Sequence, residues 1–356
     1  MKQTETLIVG QGLAGTCLAL QMLESKKPFL VMDAPHLSRS SIVAAGIMNP
    51  LVFRYLTLSW RANIYLPEAM AYYRKTEQLL GVRLLYPSDM LRFIPATDKK
   101  LYLESELRPG IDAYLRPIVI HDLTQKEGFI PGQFIQVHQA AWVDLKTLIN
   151  RTKELLAEQK LLINEKFDVQ WLKHSDSRLD YQGMKFDRLV LCEGYQARIN
   201  PMFDFVPFRP VKGEILIVSI PGLGLKQILN SSIFLLPLGN DIFKLGATYD
   251  WDDLTELPTN KAREFLIAGL RKLVHLPFEV LDHLAGVRPS VADRRPVVGC
   301  HPSCAKLWIM NGLGAKGAIM APSLSHYLME RMFKQCPPDQ ELEPLRFIDE
   351  CDADQD

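Results

Sequence analysis

The chain has 356 residues, 47% of them hydrophobic and 23% charged, a composition ordinary for a soluble globular protein of about two domains. Its 41 Lys and Arg balance 41 Asp and Glu, so a zero net charge leaves no general attraction to nucleic acid or to an anionic membrane. No run approaches the ~18 apolar residues that a membrane-spanning helix needs.

Near the N-terminus, "ETLIV" (5–9) is a short apolar run followed by a glycine loop, and "LAGTCLALQMLES" carries apolar residues at helical spacing. "PFLVMD" (28–33) reads as a second buried strand, completing β-α-β within about thirty residues. The spacing predicts helices over 62–81, over 144–159 behind an Asp144 cap, and over 260–274. Residues 82–137 are broken by Pro and Gly and hold strand-like pieces such as "VRLLY" and "PIVI". "KFDVQWL" and "KFDRLVLCEG" read as strands, as do several runs in 206–249. "KLWIMN" (306–311) is a last strand, and a last helix starts near residue 315. The acidic, Pro-rich tail after Cys336 reads as loosely held.

This distribution predicts an α/β chain of two domains. Residues 1–80, 140–205 and 285–335 form a discontinuous, Rossmann-like nucleotide-binding domain. Residues 81–139 and 206–284 form an inserted, mostly antiparallel β-sheet substrate domain, and 336–356 are a tail. The six cysteines (Cys17, Cys192, Cys300, Cys304, Cys336 and Cys351) are scattered, and "MKQTETLIVG" contains no signal-like apolar stretch. Free thiols and a cytoplasmic location are the expectation. Cys300, His301 and Cys304 lack a second Cys/His pair at a usable spacing, so no metal site is expected.

Gly10, Gly12 and Gly15 spell G-x-G-x-x-G between a strand and a helix, and Asp33 ends the second strand 23 residues after Gly10. Only small residues allow the tight turn, close backbone approach to a pyrophosphate and packing of helix on strand; a carboxylate at that distance suits a ribose hydroxyl. The acidic Asp33 argues against a 2′-phosphate, leaving NAD and FAD. Gly312, Gly314 and Gly317 repeat the pattern, yet no strand with a terminal carboxylate follows. The second loop is therefore half a site, and both loops are expected to serve one cofactor.

On these and four further blocks the sequence resembles the D-amino-acid oxidase superfamily of FAD-dependent oxidoreductases, which includes glycine oxidase, sarcosine oxidase and the oxidase domain of a bifunctional tRNA-modifying enzyme. The blocks are "SSIVAAGIMNP" (40–50), "RLVLCEGYQA" (188–197), "PVKGEIL" with "FKLGATYDWDD", and "GVRPSVADRRPVVG" (286–299). The last carries the family's spacing in Gly286, Arg288, Pro289, Asp293, Pro296 and Gly299. Glu193 departs from it, standing where the family has a small residue.

The resemblance implies non-covalent FAD, since "GLGAKG" has no flavin-linking cysteine. It places Gly10, Gly12, Leu13, Ala14, Gly15, Asp33, Ser40, Ser41, Ala44, Ala45, Gly46, Ile47, Phe167 and Gly194 against the cofactor, with Gly312, Leu313, Gly314, Ala315, Lys316 and Gly317 at the flavin ring. It implies oxidation of the C–N bond of a small amine or amino acid by hydride transfer to flavin N5, with O2 or another acceptor taking the electrons.

Arg288 is the expected carboxylate clamp, because its planar fork pairs bidentately and stays charged. Lys316 and the last helix are expected to stabilise charge at N1/C2=O. Phe234 stands where substrate-holding tyrosines are usual, Tyr249 is a nearby hydroxyl, and Arg54 is either a second anion contact or a solvated arginine. Two alternatives stay open: an FAD-dependent tRNA-modification oxidase, and a flavin-binding protein without turnover. The substrate and the oligomeric state are not legible.

Overall fold

A computed structural model describes residues 4–34, 40–94, 100, 102, 110–115, 119–122, 128–130, 132–175 and 177–348. A six-stranded sheet runs in the order Leu162–Ile163, Phe29–Met32, Thr6–Val9, Arg188–Leu191, Cys304–Asn311, Val297–His301. The first five strands are parallel, and the last returns antiparallel as a hairpin. Thr6–Val9 and Phe29–Met32 are buried at every position. Their nearly continuous apolar runs follow from a sheet covered on both faces. Ile8 and Val31 face the helical side; Leu7, Val9, Leu30 and Met32 face a cluster with Phe167, Tyr181, Phe186 and Phe203.

The helices Leu13–Glu24, Ala62–Leu80 and Gly317–Lys334 pack together on the helical side. Pro322 lies inside the last of these. It has no N–H for the carbonyl of Ala318 one turn earlier, and the buried Tyr73 hydroxyl donates to that carbonyl instead at 2.9 Å. Gln21 Nε2 donates to the Pro322 carbonyl at 2.9 Å and ties this helix to Leu13–Glu24. The helix begins at Gly317, after a 3₁₀ turn over Gly314–Lys316, two residues later than the expected start near 315.

The second large sheet has eight strands: Glu279–Arg288, Val211–Ser219, Ile242–Gly246, Phe234–Gly239, Ile228–Asn230, Met90–Phe93, Gln133–Val137 and Ile120–Asp122. All neighbours are antiparallel except Ile228–Asn230 beside Met90–Phe93. Its outer face packs Leu216, Val218, Leu235, Phe243 and Leu245 against Leu266 and Leu270 of the Asn260–Arg271 helix. Thr259 Oγ1 caps that helix by accepting from Ala262 N at 3.2 Å. Asp144 does the same for Leu145–Glu158, accepting from Thr147 N at 3.0 Å.

Two expectations are corrected. "KFDVQWL" is not one strand: Asp168 accepts from Gln170 N and opens a 3₁₀ turn over Val169–Trp171, and only Leu172–His174 pairs in a small sheet. The tail is not loose over 336–348, while 349–356 and part of "PIVI" lie outside the described residues. Glu343 is buried; its Oε1 accepts from Arg331 Nε at 2.8 Å and from the Tyr327 hydroxyl at 2.9 Å, and its Oε2 from Cys300 N at 3.3 Å. A Cβ at Gly299 would stand 2.1 Å from Glu343 Oε2, so that glycine makes room for the tail. Arg346 Nε donates to Asp293 Oδ2 at 2.9 Å, and Arg61 pairs with Asp339 and Glu341. A polar tail docks here through charge pairing, which hydrophobic patterning does not register.

Glu343→Ala leaves Arg331 and the Tyr327 hydroxyl without their acceptor and is expected to cost about 3 kcal/mol. Thermal unfolding of the FAD-loaded protein checks this; an unchanged midpoint would mean that the tail merely rests on the surface.

Candidate functional site

One cavity of about 670 Å³ is lined from both large sheets. That lies within the roughly 300–1,000 Å³ usual for small-molecule and cofactor sites. Its first wall is the loop between Thr6–Val9 and the Leu13–Glu24 helix. Gly10 has φ +94°, and a Cβ there would stand 2.5 Å from the Cys192 carbonyl oxygen. Gly12 caps the helix without a side-chain hydrogen bond, and no acidic residue occupies the first turn. A helix N-terminus without a cap of its own favours phosphate. Leu13 N donates to Ser41 Oγ at 3.1 Å, and Asp33 Oδ1 accepts from Gln11 N at 2.9 Å. Gly15 does not line the cavity: its Cβ would meet Gly10 O at 1.9 Å, so it seats the helix on the strand.

Ser40, Ser41, Ala44, Ala45, Gly46 and Ile47 line the next wall. Gly46 lies so close to Val143 that a Cβ would be 2.0 Å from its carbonyl oxygen. Lys244 from the eight-stranded sheet donates to the Ala44 carbonyl at 3.2 Å, joining the loop to the opposite sheet, and burial lowers its pKa. At one end lie Phe167, stacked on Tyr181 with centroids 4.9 Å apart, and Gly194, whose carbonyl accepts from Asn311 Nδ2 at 2.8 Å. Glu193 also lines this end. Burial pushes its carboxyl up to about 7, against the opposing hydrogen bond from Asn200 Nδ2 at 2.7 Å.

Leu313, Gly314, Ala315, Lys316 and Gly317 line the cavity; Gly312 does not, its φ of +74° serving the turn beneath Val291 and Pro296. Gly314 N donates to the Pro289 carbonyl at 2.9 Å, holding the second glycine loop beside Arg288. Lys316 Nζ donates to the Asn49 carbonyl at 2.7 Å and the Leu51 carbonyl at 3.4 Å. Burial lowers the amine to about 8. It is thus a wall residue of the cavity rather than a solvated helix-start lysine.

Arg288 ends the first strand of the eight-stranded sheet and projects over Gly213 of the second, where a Cβ would stand 2.2 Å from Nη2. Nη1 donates to the carbonyls of Lys212 at 3.3 Å and Thr248 at 3.2 Å. The Tyr249 ring covers the group at 4.4 Å. Burial lowers its pKa, partly offset by Tyr249, yet an arginine stays charged at any working pH. Among the described residues no carboxylate pairs with it. Phe234 packs over Gly246, whose Cβ would meet its ring at 2.8 Å. Tyr249 is 56% exposed at the rim, stacked on Trp251 with centroids 6.1 Å apart.

Arg54 is outside this assembly. It is exposed, does not line the cavity and lies over the Tyr55 ring at 5.5 Å, so of the two readings open for it the solvated arginine holds and the second anion contact does not. Trp60 is engaged by the tail, its Nε1 donating to Glu341 Oε1 at 3.1 Å. Gly213 and Lys244 were missed by sequence reasoning. An isolated glycine inside a strand is a signal of close approach; a lysine on an alternating strand carries none. Among the described residues no group of three or more His, Cys, Asp or Glu could hold a metal, and no helix is long and apolar enough to cross a membrane.

A helix N-terminus free of acidic residues, an acceptor at the second strand and a glycine-walled chamber beyond them are features of a dinucleotide-binding fold. The chain belongs to the FAD-dependent oxidoreductase family, whose sequence model matches residues 5–331, and it is an FAD-binding enzyme of that family. It is 22% identical, over 92% of its length, to the tRNA 5-methylaminomethyl-2-thiouridine biosynthesis bifunctional protein of Marinobacter nauticus, of which it covers 55%. Over 35% of its length it is 28% identical to glycine oxidase of Bacillus licheniformis, covering 34% of that protein. The chain thus spans about half or less of the length of these curated relatives. The solved glycine oxidase of Bacillus cereus shares the fold, with a TM-score of 0.78 over 94% of this chain and 96% of that one, at 14% identity. The residues present fit FAD: Gly10, Gly12 and the bare helix end leave room for the pyrophosphate, and Ala44–Gly46 and Leu313–Gly317 leave backbone along the chamber where the flavin would lie.

Gly213→Ala places a methyl group inside the guanidinium and is expected to swing Arg288 out of the cavity. Bound FAD should stay near stoichiometric while affinity for carboxylates falls about tenfold or more, as read by titration of the flavin absorbance; unchanged carboxylate affinity would mean that Arg288 does not need this seat.

Proposed function

We propose that this protein oxidises the C–N bond of a small amine or amino acid that carries a carboxylate. The supporting observation is Arg288. Two carbonyls and an aromatic face hold its guanidinium, which has no carboxylate partner among the described residues, so its charge and remaining N–H groups are available to an anion. FAD supplies the hydride acceptor. The chain's residues do the rest: Arg288 fixes the carboxylate, Phe234 and Tyr249 limit where the carbon chain lies, and Gly46 and Gly246 keep the walls flat. Lys316 adds a positive charge where reduced flavin gains negative charge. The cysteine-free loop 312–317 is in keeping with non-covalent binding.

A second reading, oxidation of a modified base in RNA, draws on the Marinobacter nauticus relative and on the exposed Tyr249–Trp251 stack, which suits a base. It requires salt-dependent tRNA binding.

Screening amines and amino acids for bleaching of the flavin without oxygen tests the first reading. Arg288→Ala is expected to raise KM for carboxylate substrates about a hundredfold, the loss of a charge-assisted pair, with bound FAD retained; a KM within twofold of wild type would remove the clamp assignment. A further expectation concerns pH. Lys316 is charged below about 8 and neutral above it, whereas an ordinary lysine keeps its charge to about 10.5. FAD should therefore be released more readily as pH rises from 7 to 9.5, read by the fluorescence of free FAD after ultrafiltration. Lys316→Met should bind less FAD at pH 7 and lose this dependence; a slope identical to wild type would show that another group titrates.

A further inference from the structure

We infer that Asn230, held in one orientation by Arg92, is a second substrate-binding donor remote from Arg288, and that the substrate carries an acceptor oxygen on the far side of the reacting amine. The inference rests on the reading of Arg288 given above and narrows its substrate class.

Asn230 ends the Ile228–Asn230 strand and lines the same cavity as Arg288. Arg92, on the adjacent parallel strand, donates from Nη1 to Asn230 Oδ1 at 2.7 Å and to the Ser231 carbonyl. The Phe53 ring covers its guanidinium at 4.8 Å. Arginine has only donors to offer. Asn230 must therefore present its carbonyl oxygen to Arg92, which turns the amide NH₂ the other way. Among the described residues nothing accepts from Asn230 Nδ2, and the side chain borders open cavity. The result is a donor of fixed orientation backed by a permanent positive charge. A carboxylate, carboxamide or ring carbonyl satisfies it; an ammonium group is repelled.

Its distance from Arg288 follows from the sheet. The guanidinium lies over Gly213 on the second strand, and Asn230 is on the fifth. Three strand spacings of about 4.8 Å, with an offset of two residues because Asn230 is level with Ile215, separate these backbones by roughly 16 Å, and both side chains reach inward from there. Phe234 and Gly246 form the intervening apolar floor. Glycine, with one carboxylate, engages Arg288 alone. An elongated amine with oxygen at both ends engages both donors.

The test uses FAD-loaded protein and unreactive linear probes of four to seven carbons, read by perturbation of the flavin absorbance. At five carbons these are glutarate, its monoamide glutaramate, and pentanoate. Wild type is expected to bind glutarate and glutaramate about tenfold more tightly than pentanoate, the worth of one well-placed hydrogen bond. Asn230→Leu should erase that difference while leaving pentanoate and FAD content unchanged. Asn230→Asp should weaken glutarate below pentanoate and strengthen 5-aminopentanoate. Equal affinities at every chain length in wild type, or an advantage that survives Asn230→Leu, overturns the inference. Should the Leu variant not fold, the sign reversal in the Asp variant decides alone. Arg288→Ala should weaken all three probes; a ratio that still depends on Asn230 while Arg288→Ala has no effect would remove the clamp and leave the remote donor standing.

Discussion

The absence of one side chain sets the chemistry of the substrate wall. A Cβ on Gly213 would overlap the Arg288 guanidinium at 2.2 to 2.3 Å, so the cation lies on bare backbone, with an aromatic ring on its other side. An exposed arginine would be hydrated and mobile. Here its orientation is fixed by two carbonyls and its hydration is reduced, both of which strengthen whatever anion it meets. The same device recurs elsewhere in the cavity wall, where Gly10 and Gly46 bring main chain within contact of main chain. Much of the chamber wall is therefore backbone, which a flat or extended ligand can approach closely.

Charge follows the same division. The chain is neutral overall, yet the cavity collects a helix N-terminus free of acidic residues, Lys316 and Arg288. Three carboxyl groups and Lys166 line the Phe167 end, and each carboxyl is engaged. Asp33 and Asp168 each accept a main-chain amide, and burial pushes Glu193 up to about 7, so it carries about half of its usual charge at neutral pH. The substrate end thus holds Arg288 and Lys316 while the carboxyl groups gather at the Phe167 end, a separation of charge that the zero net charge does not disclose.

Much of this was legible in the sequence where local rules decide. Asp144 begins its helix because its carboxylate covers an amide there, and Gly10 to Asp33 spell a turn, helix and strand that bring Asp33 back to Gln11 N. Legibility failed where partners are distant in sequence. Glu343 reads as one acid in a polar tail, and only the fold brings it to Arg331 and Gly299. Arg54 and Arg92 look alike as isolated arginines near apolar residues; one is on the surface, and the other stands behind a cavity wall. "KFDVQWL" has strand-like composition, but Asp168 offers its side chain to the backbone and a turn wins.

The alternation of a single strand keeps Arg288 usable. Along Val211–Ser219, Gly213 and Ile215 face the cavity, while Lys212 and Glu214 point to the opposite side. There Glu214 is buried, accepting from Thr259 N at 2.8 Å and lying 2.8 Å from His283 Nε2, and the fully buried Lys212 ammonium joins Asp253 and the Leu257 carbonyl. This network anchors the segment after Tyr249, and so the ring that covers Arg288. A slip of one residue would exchange the faces. Glu214 would then enter the cavity beside Arg288, pair with it and cancel the charge that an anionic substrate needs, while the sheet lost the ammonium that neutralises its rear. The carboxylate best able to quench the clamp is thus one residue from the glycine that seats it, kept apart by the pleat alone.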